Sequence, residues 1–251
     1  LFSNEAGSGR VVVLIHGFPF HQDLWQDYVP LLSDKFRVIT PDLPGFGKSS
    51  PLKSPFSLEQ VADTLLNFLK EKDLTKVTLV GHSLGGYVAL AMVKKNPAIV
   101  SSLVLFHSTA YGDSAEKKES RLKVVEFVKK NGALPFTSGF IPPLFADPKN
   151  PEIEKVRNIA AESRSEAVIG YSLAMKERLD QIKTLESFKN PTLFLAGAKD
   201  PGIPVDSITK QARHCQKAEI HILEEVAHMG MLEKPVETAT KIKDFLEKTH
   251  T

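Results

Sequence analysis

The segment "KVTLVGHSLGGYVALAM" (residues 76–92) changes character at its serine, Ser83. The residues before Ser83 are apolar and β-branched, as in a buried strand, whereas the residues after it follow a helical pattern. A serine at such a junction lies on a sharp turn, and the residues two before and two after it must be small for the chain to fold back on itself. Gly81 and Gly85 occupy those two positions. The segment therefore predicts a strand, a tight turn and a helix, with Ser83 at the tip of the turn.

Short β-branched runs recur along the chain, with helical patterns between them. Besides the run that ends at Ser83, they cover residues 10–17, 36–42, 101–108, 191–200 and 218–225. Near-continuous apolar runs are typical of strands buried on both faces, which indicates a mostly parallel sheet. Segments 57–73 and 235–248 have helical patterns and are predicted to cover the sheet. The sequence therefore predicts an α/β fold with flanking helices.

The interval between the fourth and fifth of these core strands is too long for a simple crossover. Residues 111–186 are helical in pattern, apart from an irregular apolar stretch at residues 134–148. We expect them to form a helical cap over the strand ends. The cap would be inserted into an α/β core made of residues 1–110 and 187–251.

The irregular stretch is rich in aromatic residues and prolines, and the prolines limit how far it can form a regular helix. An apolar segment of this kind needs another surface to cover, and we expect it to roof a compact pocket above Ser83. The residues predicted to line this pocket are His107, Phe140, Ile141, Leu144 and Phe145. The four apolar residues have a second candidate role, packing in the cap core, which is compatible with the first. For His107 the alternative is packing or hydrogen bonding.

Ser83 needs a base, because a serine hydroxyl is a weak nucleophile until its proton is removed. His228, in the loop after the last predicted strand, is expected at the same edge of the sheet and is the candidate base. A carboxylate must orient its imidazole, and Asp200, at the end of the run 191–200, is predicted to supply it. Asp206 is the alternative acid, although its place in the first turn of a predicted helix favours capping. Five other histidines are expected to have structural or solvated roles: His16, His82, His214, His221 and His250.

Two backbone N–H groups are candidates for an oxyanion hole. Acyl transfer develops negative charge on an oxygen, and the donors must already point at it. Leu84 follows Ser83 at the start of the predicted helix, and Phe18 lies in "HGFP" after the first predicted strand. Both are therefore predicted to donate their backbone N–H groups to the oxyanion.

The composition limits the classes of partner. Lys and Arg total 32 against 30 Asp and Glu, with both signs interspersed, so charge indicates neither nucleic acid nor an anionic membrane surface as a partner. No apolar run approaches the ~18 residues of a membrane span, and residues 1–10 lack the pattern of a signal peptide. The single cysteine, Cys215, favours a reducing compartment. We expect a cytoplasmic protein whose partner is a small molecule, and the oligomeric state stays open.

Two further patterns were weighed and set aside. The stretch "DLPGFGKSS" (residues 42–50) resembles the end of a phosphate-binding loop, but the position where that motif needs its first glycine holds Asp42. We interpret it as a structural turn. No group of His, Cys and acidic residues has metal-ligand spacing, and Cys215 on a predicted helix is expected to be inert. The sequence therefore predicts neither a cofactor nor a metal.

Taken together, these motifs resemble those of the α/β-hydrolase fold superfamily, in particular its cofactor-free, capped carboxylesterases and 3-oxoadipate enol-lactonases. The motifs "HGFP", "DLPGFGKS", "GHSLGG", "GAKD" and "VAHMG" match in kind and order over nearly the whole chain. Residues 111–186 match only in placement and helical character. Epoxide hydrolases and haloalkane dehalogenases of the superfamily use an aspartate nucleophile, and Ser83 argues against both.

The residues and the resemblance together predict a serine hydrolase that cleaves a small carboxylic ester or lactone through an acyl-enzyme. Two other functions stay open at this point. One is a ligand receptor built on the same fold, with little turnover. The other is hydrolysis of a carbon–carbon bond, which uses similar groups. Fold and triad alone do not separate the three, because function depends on the pocket.

Overall fold

The computed structural model describes residues 1–249 and contains a seven-stranded sheet. The strands are β1 (Ser3–Ala6), β2 (Val11–Ile15), β3 (Arg37–Pro41), β4 (Val77–His82), β5 (Val100–Phe106), β6 (Thr192–Gly197) and β7 (Ala218–Leu223). Their order across the sheet is β1-β3-β2-β4-β5-β6-β7. Strand β1 is antiparallel to β3, and the other neighbouring strands pair in parallel. The prediction of a mostly parallel α/β sheet is confirmed.

Strand β1 is the one strand that the sequence analysis misses. It lies at an edge of the sheet, and none of its four residues is buried. Apolar runs mark strands that are covered on both faces, so a short polar edge strand gives no such signal.

Helices flank the sheet and connect its strands. They are α1 (Pro30–Ser33), α2 (Leu58–Glu71), α3 (Leu84–Lys95), α4 (Ala115–Asn131), α5 (Ala133–Phe140), α6 (Glu152–Ala161), α7 (Ser165–Glu177), α8 (Ile182–Ser187), α9 (Val205–Ala212), α10 (Gly230–Glu233) and α11 (Pro235–Lys248). Short 3₁₀ helices cover Gln22–Trp25, Pro97–Ile99 and Pro142–Leu144. Helix α2 begins with a capping box between Ser57 and Gln60, which fixes its start where the sequence predicts it.

The sheet separates two hydrophobic cores. Alternate residues of β2 point to opposite faces, so Val13 and Ile15 pack in one core while Val12 and Leu14 pack in the other. This is why the central strands appear in the sequence as continuous apolar runs rather than alternating ones. Among residues 1–249, no helix is both long and apolar enough to cross a membrane.

Helices α4 to α8 lie between β5 and β6, as the fold prediction requires. The irregular stretch is more helical than expected, because Pro135 falls in the first turn of α5, where its missing N–H costs no helical hydrogen bond. Pro142 and Pro143 then begin a 3₁₀ helix instead of continuing α5. The division into a core and a cap, with bounds at residues 110 and 187, stays a prediction.

Candidate active site

Ser83 lies between β4 and α3 with φ 50° and ψ −113°. A positive φ is uncommon for a residue with a side chain, and this sharp turn lies at the carboxyl edge of the sheet. The neighbouring glycines make the turn possible. A Cβ atom on Gly81 would lie 2.5 Å from the carbonyl carbon of Gly85, and one on Gly85 would lie 2.2 Å from the carbonyl oxygen of Ile15. The local structure is therefore the strand, turn and helix that residues 76–92 predict.

His228 and Asp200 form a hydrogen bond at the same edge of the sheet. The distance from His228 Nδ1 to Asp200 Oδ2 is 2.7 Å, and each residue is 8% exposed. The other carboxylate oxygen of Asp200 accepts hydrogen bonds from the backbone N–H groups of Gly202 (2.8 Å) and Ile203 (3.0 Å). Because Nδ1 donates its proton to Asp200, Nε2 of neutral His228 carries a lone pair. The arrangement can therefore accept a proton from a nucleophile.

Asp206, the alternative acid, lies elsewhere. Its side chain is 76% exposed in the first turn of α9 and pairs with Lys210 at 2.7 Å. The predicted capping role is absent too, because Pro204 is the N-cap and no side chain caps this helix. Asp200 itself follows the strand rather than ending it, since β6 ends at Gly197.

Two histidines keep Asp200 ionised. Burial raises the pKa of this carboxyl, but the proximity of His228 and the hydrogen bonds from His107 and His228 outweigh burial, so the pKa lies well below its ordinary value. Asp200 is therefore a carboxylate at neutral pH. Such a group favours the imidazolium form of a histidine that has just accepted a proton.

His107 lies behind this acid. It is fully buried, and its Nδ1 is 3.4 Å from Asp200 Oδ2, while its Nε2 is 3.2 Å from the N–H of Gly230. The backbone N–H of Gly197 also points at Nδ1, at 3.2 Å, so both ring nitrogens face backbone donors. Burial lowers the pKa of His107, although the contact with Asp200 opposes this, so the ring is neutral. His107 thus takes the hydrogen-bonding role that the sequence analysis gives as its alternative, and its placement in the pocket wall is wrong.

Backbone contacts fix the loop that carries His228. Its N–H donates to the carbonyl oxygen of Leu144 at 2.9 Å, which joins this loop to the segment between β5 and β6. Its carbonyl oxygen accepts a hydrogen bond from Nε2 of buried His82 at 2.9 Å. Burial lowers the pKa of His82 well below its ordinary value, so this donor is neutral. His228 is therefore held both from the core and from the segment between β5 and β6.

The remaining predicted histidines and Cys215 lie apart from this arrangement. Burial lowers the pKa of His16 to about 3, and both its ring nitrogens are hydrogen-bonded to backbone groups at 2.9 Å. His214 and His221 are hydrogen-bonded to glutamate side chains. Burial raises the pKa of Cys215 to about 11, which agrees with an inert thiol. His250 lies outside the described residues.

One cavity of about 530 Å³ is lined by Ser83, Asp200 and His228 together. This volume is in the usual range for small-molecule sites. Phe18, the first candidate for the oxyanion hole, also lines it. Leu84, the second, is the first residue of α3, where an N–H group has no acceptor within its own helix. The structure therefore brings the predicted nucleophile, base, acid and one oxyanion donor to one cavity.

Aromatic rings form an apolar wall of this cavity. The ring centroids of Phe136 and Phe140 are 5.3 Å apart, and that of Phe18 lies 6.1 Å and 6.0 Å from them, respectively. Leu144, which was predicted to line the pocket with Phe140, does so. Two other predicted lining residues, Ile141 and Phe145, are corrected: neither lines this cavity, and both side chains pack in the core that contains Val12 and Leu14.

The cavity also has a basic wall, which the sequence analysis did not identify. Lys117 and Arg121 line it from α4, and Nε of Arg121 donates to Asp113 Oδ2 at 3.2 Å. The spacing of four residues between the two cations is visible in the sequence. However, a charged helix face usually faces solvent, and the sequence does not show which way α4 is turned.

His107, Asp200 and His228 offer three ligand atoms within 4.8 Å of one another, a grouping that could hold a metal ion. The sequence analysis found no such group, because the three residues are far apart in the chain. The contacts of 2.7 Å and 3.4 Å that both histidines make with Asp200 account for this closeness.

The chain matches one family model and several known proteins. A family model described as "Alpha/beta hydrolase family" matches residues 12–241. The dihydrolipoyllysine-residue acetyltransferase component of an acetoin cleaving system from Pseudomonas putida is 30% identical over 246 residues, 96% of this chain and 64% of that protein. A pimeloyl-[acyl-carrier protein] methyl ester esterase from Methylococcus capsulatus is 42% identical over 109 residues, 43% of this chain and 41% of the relative. The chain thus spans less than two thirds of the length of these two curated relatives.

Among solved structures, a thermophilic esterase from Thermogutta terrifontis with malate bound matches over the whole chain. Its TM-score is 0.94 at 33% sequence identity, and the match covers 100% of this chain and 94% of the esterase.

Proposed function

The chain belongs to the alpha/beta hydrolase family, and on that premise we propose that it is a serine hydrolase that cleaves a small carboxylic ester or lactone. The observation that carries the proposal is the hydrogen bond between His228 and Asp200 in a cavity that Ser83 also lines. The esterases from Thermogutta terrifontis and Methylococcus capsulatus support the same type of reaction.

The first half of the proposed reaction forms an acyl-enzyme. Ser83 Oγ attacks the acyl carbon while Nε2 of His228 takes the hydroxyl proton. Asp200 keeps the imidazole in the required tautomer and stabilises the imidazolium that forms. The backbone N–H groups of Phe18 and Leu84 donate to the oxyanion. His228 then gives its proton to the leaving oxygen as the carbon–oxygen bond breaks.

The second half releases the acyl group. Nε2 of His228 takes a proton from a water molecule, and the hydroxide attacks the acyl carbon of the ester on Ser83. Collapse of the tetrahedral intermediate breaks the bond to Oγ, which recovers the proton from His228. Ser83 and His228 thus return to their starting states, and the product is a carboxylic acid.

The substrate is a small molecule whose acyl part lies against the aromatic wall made by Phe18, Phe136 and Phe140. Residues 111–186 act as the cap in this proposal, and Phe140 and Leu144 roof the pocket. The hydrogen bond from His228 N–H to Leu144 supports a close fit between cap and base. A cytoplasmic location belongs to the same proposal and rests on the single cysteine alone.

A turnover screen over esters, lactones, thioesters and amides tests the proposal, with Ser83→Ala as the matched variant. We expect steady-state turnover of a short ester or lactone by the wild type and its loss in Ser83→Ala. A single slow turnover, with a bound product, would instead indicate a receptor. Preferred cleavage of a diketone-like substrate would indicate carbon–carbon bond hydrolysis. Ester turnover that survives in Ser83→Ala would contradict the proposed mechanism.

A further inference from the structure

The face of α4 that lines the cavity carries two cationic residues. Its lining residues are Lys117, Ser120, Arg121 and Val124, a spacing of three, four and seven positions that places them on one side of the helix. Lys117 and Arg121 therefore share a cavity with Ser83 and His228. An apolar acyl chain gains nothing from cations at this position, so the charge needs another explanation.

The wall has more cationic than anionic side chains. Behind Arg121, the carboxylate of Asp113 lies 3.2 Å from its Nε and 2.6 Å from Nη1 of Arg178, which is itself 8% exposed. Arg178 also lies 3.9 Å from the ring centroid of Tyr87. Among residues 1–249, Asp113 is the one acid that pairs with Arg121 or Arg178, and Lys117 forms no ion pair. Asp200, which lines the cavity, is already engaged with two histidines.

Both lining cations keep donors for a ligand. Asp113 takes the Nε donor of Arg121, and no acceptor among residues 1–249 is hydrogen-bonded to its terminal nitrogens. Within the described part of the chain, Lys117 Nζ has one acceptor, the carbonyl oxygen of Gly202 at 2.8 Å, and an ammonium has three donors. Burial lowers the pKa of Lys117; Asp113 opposes this, and Arg178 and Arg121 lower it further. A bound anion would relieve this mutual repulsion.

We propose that Lys117 and Arg121 form a subsite for a carboxylate carried by the substrate, so that the preferred substrate is an ester or lactone of a dicarboxylic or hydroxycarboxylic acid. The inference rests on the proposed function, because it concerns the cavity in which Ser83 is placed. A carboxylate accepts charge-assisted hydrogen bonds from a guanidinium and an ammonium, and these are stronger than bonds between neutral groups. The reacting ester would lie at Ser83 and the carboxylate at α4.

Matched esters test the subsite. The first pair is 4-nitrophenyl hemiglutarate and 4-nitrophenyl valerate, which have acyl groups of equal length with and without a carboxylate. The second pair is O-acetylglycolate and ethyl acetate, which differ in the leaving group. The measured quantity is the ratio of kcat/KM for the anionic ester to that for the neutral ester. Because hydrogen bonds to charged groups contribute about 1.5–3 kcal/mol, Arg121→Gln and Lys117→Gln should each lower this ratio about tenfold or more in at least one pair.

The control is Lys123→Gln on the same helix, because the Lys123 side chain is 73% exposed, pairs with Glu119 and does not line the cavity. Its ratio should equal that of the wild type. The wild-type preference should also weaken as ionic strength rises. Unchanged ratios in both cationic variants, for both pairs, would overturn the inference. Thermal melting shows whether each variant is folded. If Arg121→Gln is unfolded, Lys117→Gln provides the test of the subsite.

A binding measurement separates failure of the subsite from failure of the proposed function. Glutarate binding, measured by calorimetry, needs no turnover and should be about tenfold weaker or worse in Arg121→Gln than in the wild type. Equal binding, or no binding to either protein, would refute the subsite even if Ser83 is the nucleophile. Glutarate binding that depends on Arg121, without ester turnover, would keep the anion site and refute the hydrolase proposal.

Discussion

Asp200→Asn tests the proposed acid, because asparagine keeps the shape of aspartate while changing what it offers to His228. One carboxylate oxygen contacts His228 Nδ1 at 2.7 Å, and the other accepts from the N–H groups of Gly202 and Ile203. The single carbonyl oxygen of asparagine can serve only one of these sides. If it keeps the backbone bonds, its NH₂ group faces Nδ1 and moves the His228 proton to Nε2. The ring then cannot accept the proton of Ser83.

The size of the expected loss in kcat follows from that tautomer. The corresponding exchange in a known serine protease triad lowers kcat by about 10⁴, so we expect a loss of roughly 10³–10⁴, or about 4–5.5 kcal/mol of transition-state stabilisation. If the amide turns the other way, the N–H groups of Gly202 and Ile203 lose their acceptor. Each unsatisfied group would then cost about 1–3 kcal/mol of stability, which urea denaturation would detect.

The assay is steady-state hydrolysis of 4-nitrophenyl butyrate, with Asp206→Asn as the matched control. Among the described residues Asp206 pairs with Lys210 alone, and its exposed side chain does not line the cavity. Such surface pairs contribute little to stability, so Asp206→Asn should fold normally and keep the wild-type kcat. A folded Asp200→Asn variant that retains more than a tenth of wild-type kcat would refute the reasoning. A larger loss in Asp206→Asn would reassign the acid.

Two further predictions concern the pocket and the turn. Along an ester series from acetyl to palmitoyl, kcat/KM should rise several-fold per methylene, because each buried methylene contributes about 0.8 kcal/mol. It should peak at short or medium acyl length and then fall as the 530 Å³ cavity fills. A maximum at palmitoyl would mean that Phe140 and Leu144 do not close the pocket. Gly85→Ala should lower the free energy of unfolding by about 3 kcal/mol or more, because its Cβ would lie 2.2 Å from the carbonyl oxygen of Ile15. The control is Gly139→Ala in α5, where a Cβ would meet nothing within 4 Å. This alanine should stabilise the helix by up to about 1 kcal/mol. Equal urea midpoints for the two variants would contradict the strain argument.

The sequence predicts most of the fold because the central strands are covered on both faces. Their apolar runs and the helical patterns between them are local signals, which is why α2 and α11 fall where expected. Ser83, Asp200 and His228 could be proposed together for a related reason. Each lies at or just after the carboxyl end of a parallel strand, and such ends meet at one edge of the sheet.

What the sequence does not predict depends on how elements face one another. His107 follows β5 and was expected in the pocket, but its backbone φ of 48° and its complete burial place the ring behind Asp200. Ile141 and Phe145 look like pocket residues in the sequence, yet they do not line the cavity and pack in the core that contains Val12 and Leu14. In the sequence Lys117 is one of many charges on α4, and the orientation of that helix brings it to the cavity.

The central claim is that Ser83 is the nucleophile, and active-site labelling tests it most directly. A fluorophosphonate probe reacts with an activated serine hydroxyl, so the wild type should bind one equivalent, and peptide mass spectrometry should place the adduct on Ser83. The Ser83→Ala variant, folded by its melting curve, should take up no probe. Stoichiometric labelling of that variant, or an adduct at another serine in the wild type, would contradict the account.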